Sequence, residues 1–127
     1  MIVHIVMIEP RADLERGALA AAIVDLQTAA REIPSIRQLR IGRRIRHGLP
    51  GYEQSMARDF SYAVIIEFDD QAGLEQYLRH PSHAALSRHF ATVGEQSLAY
   101  DYEFVDAGEL PAEMDLPAEA ASHGEST

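Results

Sequence analysis

The segment from residue 76 to residue 90, QYLRHPSHAALSRHF, contains three of the six histidines of the chain and one tyrosine. Imidazole titrates near neutral pH, so histidine often serves as a general acid or base. His83 falls in the first turn of a helix that we expect to begin near Pro81, where the helix dipole disfavours imidazolium. A neutral imidazole there is suited to removing a proton next to a carbonyl group. The alternative is that His83 caps the helix or faces solvent.

Two neighbours of His83 are further candidates. Tyr77 shares the expected buried side of the preceding helix with Leu74 and Leu78. Its hydroxyl could donate a hydrogen bond to a carbonyl oxygen as an enolate develops, or its ring could simply belong to the core. His80 precedes a proline, and we expect it to stabilise the connection through hydrogen bonding, with contact to substrate as the alternative.

A fourth histidine lies in the opening strand. His4 shares one strand face with Ile2, Val6 and Ile8. A buried histidine needs a polar partner or water, which a cavity would supply, so we expect His4 to line a substrate pocket. Tyr62 is a further candidate for the pocket wall. No metal site is expected, because an H-x-x-H pair broken by proline differs from the helical H-E-x-x-H pair and spacing fixes no third ligand.

The composition excludes several kinds of chemistry and partner. The 127 residues include no cysteine and no lysine, which rules out thiolate nucleophiles and lysine Schiff bases. Glycine-rich phosphate motifs and the G-x-S-x-G elbow are also absent. A net charge of −9 argues against a nucleic-acid partner. The apolar N-terminus is too short to span a bilayer and lacks the features of a signal peptide, so we expect a cytoplasmic protein that does not bind membranes.

Charge is distributed unevenly along the chain. Residues 1–105 carry all 11 arginines and 14 acidic residues, whereas residues 106–127 carry 6 acidic residues and no arginine. We therefore expect one folded domain over residues 1–105 and an acidic, disordered tail over residues 106–127. Five arginines lie close together in one stretch: Arg37, Arg40, Arg43, Arg44 and Arg46. They could bind an anionic substrate. Alternatively, they form a solvated strand face or the salt-bridge rim of a dimer.

Hydrophobic periodicity predicts elements in the order β-α-β-β-α-β. The strands are expected at residues 2–8, 35–45, 60–68 and 98–105. The first helix ends before Pro34, and its apolar stripe comprises Leu19, Ile23, Leu26, Ala30 and Ile33. The second helix begins after the capping residues Asp69 and Asp70 and is interrupted at His80-Pro81. This order predicts an α+β fold with a four-stranded antiparallel sheet.

The first and third strands, MIVHIVMI and FSYAVIIEF, are apolar on both faces. Two helices can cover only one face of a four-stranded sheet. A second copy of the chain is the simplest cover for the other face. The pattern therefore predicts a homodimer in which two sheets meet face to face.

The segments MIVHIVM, REIPSIRQLRIG, FSYAVIIEF and QYLRHPSH carry a resemblance to a known family. Over residues 1–105 the chain resembles the stress-responsive A/B barrel (Dabb) domain family, and in particular its olivetolic acid cyclase-type members. The resemblance implies a ferredoxin-like, dimeric α/β barrel. In the cyclase a histidine and a tyrosine of the last motif act together, and by position these are His83 and Tyr77. An early-strand histidine that lines the cavity corresponds to His4.

The family contains enzymes as well as stress-induced proteins without an assigned reaction. The resemblance implies a cofactor-independent acid/base enzyme that acts on a small apolar or aromatic carbonyl compound, such as an aldol-type cyclase or a lyase for a polyketide-like substrate. The cyclase has a polar histidine on its third strand where this chain has Tyr62, so neither the same substrate nor the same reaction is implied. The alternatives are a non-catalytic stress-responsive or ligand-binding barrel and a cofactor-free monooxygenase.

Overall fold

The computed structural model describes residues 1–109 and confirms the predicted α+β class and order of elements. The strands and helices are β1 (Ile2–Pro10), α1 (Arg16–Glu32), β2 (Gln38–Arg43), β3 (Tyr62–Phe68), α2 (Gln71–Arg79), α3 (Pro81–Val93) and β4 (Gly94–Glu103). The predicted second helix is thus two helices, divided at His80. Residues 110–127, most of the tail predicted to be disordered, lie outside the described residues. Within residues 1–109, no helix is long and apolar enough to cross a membrane.

The four strands form one sheet in the order β2-β3-β1-β4, and each neighbouring pair is antiparallel. This is the ferredoxin-like arrangement that the sequence predicts. Strand β1 therefore lies inside the sheet, between β3 and β4. The register places Ile66 of β3 and Asp101 of β4 on either side of His4. Directly opposed residues of paired strands share a face, so the three side chains project from the same face of the sheet.

The helices pack on that face and form the main core. The core cluster comprises Val6, Leu26, Ala29, Ile33, Val64, Ile66, Phe68, Leu74, Tyr77 and Leu86. The predicted stripe of α1 is partly wrong, because Ile23 and Ala30 are exposed whereas Ala22 and Ala29 are buried. Small alanines let a helix approach its neighbours closely, and a pattern built on large apolar residues overlooks them. Leu26 and Ile33 are buried as predicted.

Strand β4 begins four residues earlier than the predicted start at Leu98. It pairs with β1 as far as Pro10, which extends the ladder over Gly94 and the polar residues that follow it. Backbone hydrogen bonds to a long neighbouring strand place these residues in the sheet, although their side chains show no apolar alternation. Strand β2 is shorter than predicted and spans only Gln38–Arg43.

The second face of the sheet has no cover within the described chain. Ile5 and Met7 of β1 are half-buried there. Tyr100 and Tyr102 of β4 and Phe104, which directly follows β4, are each 49% exposed. The three rings form a ladder, with centroids 6.4 Å and 6.3 Å apart. The predicted burial of both faces of β1 is therefore incomplete in a single chain. An aromatic ladder of this kind is an exposed apolar patch of the sort that marks an interaction surface.

Candidate functional site

A half-enclosed cavity of about 520 Å³ lies between helices α2 and α3 and the strands β1 and β4. Its wall is mostly apolar, and a few polar groups project into it. The residues that line it are His4, Val6, Tyr77, Leu78, His83, Leu86, Ser87, Phe90, Ala91, Ser97, Leu98, Ala99 and Asp101. An apolar cavity with a few convergent polar groups is the usual form of a small-molecule site. Three of the residues singled out in the sequence, His4, Tyr77 and His83, meet here.

Tyr77 lies at the centre of the polar groups. It belongs to α2, which starts where the Asp70 carboxylate accepts a hydrogen bond from the backbone N–H of Gly73, at 2.9 Å. Its ring centroid is 5.4 Å from that of His4 and 4.7 Å from that of His83. The side chain is only 2% exposed, and burial, followed by the negative charge of Asp101, raises the pKa of its hydroxyl far above the ordinary value. Tyr77 therefore remains a protonated hydrogen-bond donor at physiological pH.

His83 is the third residue of α3 and faces Tyr77 across the cavity. Pro81 occupies the first helical turn, where a missing N–H does no harm, and the imidazole of His80 caps the helix. Partial burial is the main cause that lowers the pKa of His83, the electrostatic influence of the nearby His4 adds to the effect, and a hydrogen bond with the backbone of Leu78 opposes it. The predicted neutral imidazole is therefore favoured, with desolvation as the main physical cause. Nε2 of His83 lies 3.4 Å from Oγ of Ser87.

His4 lies on the floor of the cavity, beneath Tyr77. It is buried, with 6% of its surface exposed, and its Nδ1 lies 2.6 Å from Oδ1 of Asp101 on the neighbouring strand. The expected partner of the buried histidine is thus a carboxylate. An ionised carboxylate only accepts hydrogen bonds, so Nδ1 of His4 carries the hydrogen and Nε2 is available to a ligand.

The other two candidates lie elsewhere. Nδ1 of His80 accepts a hydrogen bond from the backbone N–H of Ser82 at 3.0 Å, so His80 caps α3 as the sequence analysis favours. Tyr62 of β3 is paired with Ile8 of β1 and packs against a second small cluster, which is formed by Ile8, Ala22 and Val93. Neither residue is among those that line the cavity. The difference arises because Tyr62 is paired with β1 four residues beyond His4, too far along the strand to reach the same cavity.

Asp101 lines the cavity and contacts His4, but it is not among the residues singled out in the sequence. A weak indication was present: Tyr100, Tyr102 and Phe104 share one face of their strand, which places Asp101 on the opposite, helix-covered face. Its partner could not be identified, because 97 residues separate it from His4. Within residues 1–109, no group of three or more histidine and acidic side chains is arranged to hold a metal ion.

The described residues form an α+β, ferredoxin-like domain with a mostly apolar cavity between its helices and its sheet. The family model of the Stress responsive A/B Barrel Domain (Dabb) matches residues 2–104 of the chain. The protein therefore belongs to the Dabb family, and the resemblance inferred from the sequence is confirmed. No curated protein matches the chain.

Several solved structures share this fold. A hydroxynitrile lyase from Passiflora edulis superposes with a TM-score of 0.71 at 15% identity, over 84% of this chain and 94% of the lyase. A Dabb family protein with a ferredoxin-like fold from Mesorhizobium loti gives a TM-score of 0.64 at 23% identity, over 83% and 97% of the two chains. A dimeric ferredoxin-like protein of unknown function from Jannaschia sp. CCS1 gives 0.64 at 26% identity, over 81% and 98%.

Proposed function

We propose that this protein is a cofactor-independent acid/base enzyme that acts on a small, apolar carbonyl compound in the cavity between its helices and its sheet. The observation that carries the proposal is the convergence of His83, Tyr77 and His4 on one cavity. A neutral histidine and a protonated tyrosine whose rings are 4.7 Å apart supply a base and a hydrogen-bond donor in one place. The two functions needed for proton abstraction next to a carbonyl are thus adjacent.

In the proposed reaction, the ligand carbonyl oxygen accepts a hydrogen bond from the hydroxyl of Tyr77. His83 removes a proton from the adjacent carbon, and the electrons of the broken C–H bond form an enolate whose oxygen remains hydrogen-bonded to Tyr77. The enolate carbon attacks a second carbonyl of the same molecule and forms a C–C bond. The resulting alkoxide takes the proton back from His83, so an aldol product forms without a net change in protons. The same groups acting in reverse would cleave such a bond.

His4 and Asp101 complete the proposed site. The hydrogen bond to Asp101 fixes the orientation of the His4 ring, which leaves Nε2 of His4 to accept a hydrogen bond from a hydroxyl or enol group of the ligand. The remaining wall, which includes Leu86 and Phe90, excludes water from the reacting atoms. The hydroxynitrile lyase from Passiflora edulis, which shares the fold, supports a lyase or cyclase as the reaction class.

We also propose that the protein is a homodimer whose sheets meet through the exposed ladder of Tyr100, Tyr102 and Phe104. Apolar residues on the uncovered face support this, and so does the dimeric state of the Jannaschia protein. Two sheets that bury such faces against each other remove apolar surface from water, which is the main driving force for association.

Exchange of hydrogen for deuterium tests the acid/base chemistry without knowledge of the natural substrate. We would incubate acetophenone and benzoylacetone with the protein in D₂O and follow loss of the proton signals next to the carbonyl by NMR. We expect the protein to accelerate exchange and the variant His83→Asn to lose about 10²–10⁴-fold of that acceleration.

A matched control is His89→Asn. His89 lies on the same helix as His83 but pairs with Asp25 of α1, at 3.1 Å, and does not line the cavity. We expect this variant to keep the rate of the unmodified protein. If the ketones bind without accelerated exchange, the protein is a ligand-binding barrel rather than an enzyme. Full exchange activity in His83→Asn would show that His83 is not the base.

A further inference from the structure

The charges around the cavity are unusual for a chain with 11 arginines. Among the described residues that line the cavity, Asp101 is the only carboxylate, and there is no arginine. The predicted basic stretch lies in and around β2, at the edge of the sheet opposite β4. Four of its five arginines pair with acidic residues there. The shortest of these ion pairs are Arg46 with Asp59 at 2.5 Å, Arg37 with Asp69 at 2.6 Å and Arg40 with Glu67 at 2.7 Å.

Asp101 is close enough to the proposed ligand-binding groups to influence what they bind. Its carboxylate lies 2.6 Å from the His4 ring, and its side chain is 35% exposed, against 8% for His4. The negative charge of Asp101 also adds to the effect of burial in raising the pKa of Tyr77. The hydroxyl that would hold the ligand oxygen therefore lies in a negative electrostatic field.

We infer that this cavity selects uncharged or cationic ligands and rejects carboxylates, and that Asp101 is the residue that sets this preference. A bound carboxylate would lose its hydration, would find no guanidinium to pair with, and would be repelled by Asp101. An uncharged ketone meets neither penalty, and a planar cation gains attraction from Asp101. The inference rests on the proposed function, because it assigns a charge class to the substrate of the same site, but it concerns binding and does not require turnover.

A series of three planar ligands tests the inference. Benzamidine, acetophenone and benzoate have similar shapes and carry a positive charge, no charge and a negative charge at about pH 8, where imidazole is neutral. Their dissociation constants would be measured by titration calorimetry and by NMR of the protein. We expect benzamidine to bind at least as tightly as acetophenone, and acetophenone to bind at least about tenfold more tightly than benzoate.

The variant Asp101→Asn isolates the contribution of the charge, because an asparagine oxygen can still accept the hydrogen bond from His4. We expect this substitution to bring the dissociation constants of acetophenone and benzoate to within about threefold of each other. The matched control is Asp25→Asn, which removes a carboxylate of similar exposure (31%) that pairs with His89 outside the cavity. This control should leave the ratio unchanged.

Three results would overturn the inference. These are benzoate binding as tightly as acetophenone, an unchanged ratio in a folded Asp101→Asn protein, and no binding of any of the three ligands at millimolar concentration. If Asp101→Asn does not fold, the order of the three dissociation constants of the unmodified protein still tests the inference. If the cavity selects ligands by charge but the protein does not accelerate deuterium exchange, the proposed enzyme is refuted and the inference stands. If the protein accelerates exchange but does not select ligands by charge, the inference is refuted and the proposed enzyme stands.

Discussion

Nδ1 of His4 lies 2.6 Å from Oδ1 of Asp101, and this contact joins the buried strand β1 to the edge strand β4 beneath the cavity. The pair gives the only buried histidine among the described residues a hydrogen-bond partner. It also places a negative charge near Tyr77, one of the two groups proposed to act on the ligand. The contact therefore links the sheet register to the electrostatics of the site.

The lowered pKa of His83 leads to a prediction about pH. A general base must be neutral to act, and partial burial keeps His83 neutral at pH values below the ordinary pKa of histidine. We therefore expect the rate of deuterium exchange to rise with pH and to reach half of its plateau below about pH 6.5. NMR titration of the His83 ring proton would give the same midpoint. A midpoint above that of a free histidine would contradict the proposed cause.

Substitution of Tyr77 should separate its chemical role from its role in packing. Tyr77→Phe keeps the ring that packs 5.4 Å from Phe68 and removes only the hydroxyl. We expect the free energy of unfolding to change by no more than about 1 kcal/mol and the exchange rate to fall about 10²–10³-fold. Urea denaturation and the deuterium assay would measure the two effects.

The control for this experiment is Tyr77→Ala. Removing a ring that is 2% exposed from the core should cost about 3–5 kcal/mol. If Tyr77→Phe retained full exchange activity, Tyr77 would be a core residue without a chemical role. An equal loss of stability in both variants would mean that the hydroxyl itself holds the core together.

The junction between α3 and β4 should not tolerate an added methyl group. A Cβ atom at Gly94 would lie 2.9 Å from Cδ1 of Ile8 and 3.2 Å from the carbonyl oxygen of Phe90. Ile8 is buried, and the backbone oxygen cannot turn away, so we expect Gly94→Ala to cost about 1–3 kcal/mol in thermal or urea unfolding.

Gly17→Ala provides the opposite result for comparison. A Cβ atom at Gly17, in the first turn of α1, would meet no other atom within 4 Å. Because alanine reduces the conformational freedom of the unfolded chain, we expect a gain of about 0.4–1 kcal/mol. Equal stability of the two variants would show that the close packing at Gly94 carries no energetic weight.

The aromatic ladder on the uncovered face should hold the proposed dimer together. Tyr102 is 49% exposed and lies opposite Val3 in the register, so a charge there should leave the single-chain fold intact. We expect the unmodified protein to sediment as a dimer at micromolar concentration and Tyr102→Glu to sediment as a monomer. Burying an unpaired carboxylate between two apolar sheets is the physical reason.

Val24→Glu is the control for the dimer experiment. Val24 is 55% exposed on α1, in the helix layer on the other side of the sheet. This variant should remain dimeric. A monomeric unmodified protein, or a dimeric Tyr102→Glu protein, would refute the proposed association through the sheet.

Local features of the sequence were enough to predict where α2 begins and where it gives way to α3. Asp70 caps α2 and His80 caps α3, and the proline that follows His80 separates the two helices. These effects act over three or four residues, so they are visible in the sequence. The buried face of α1 was predicted less well, because Ala22 and Ala29 contribute too little apolar area to be distinguished from exposed alanines.

The sequence by itself determined the order of elements, the absence of lysine and cysteine chemistry, and the placement of His83 in the first turn of a helix. Only the tertiary structure decided which groups share the cavity. Antiparallel pairing places Asp101 opposite His4, and a shift by one residue would bring a tyrosine there and turn the carboxylate to the other face. Strand register depends on the packing of the whole sheet, so no local pattern could predict the pairing of two residues that are 97 positions apart.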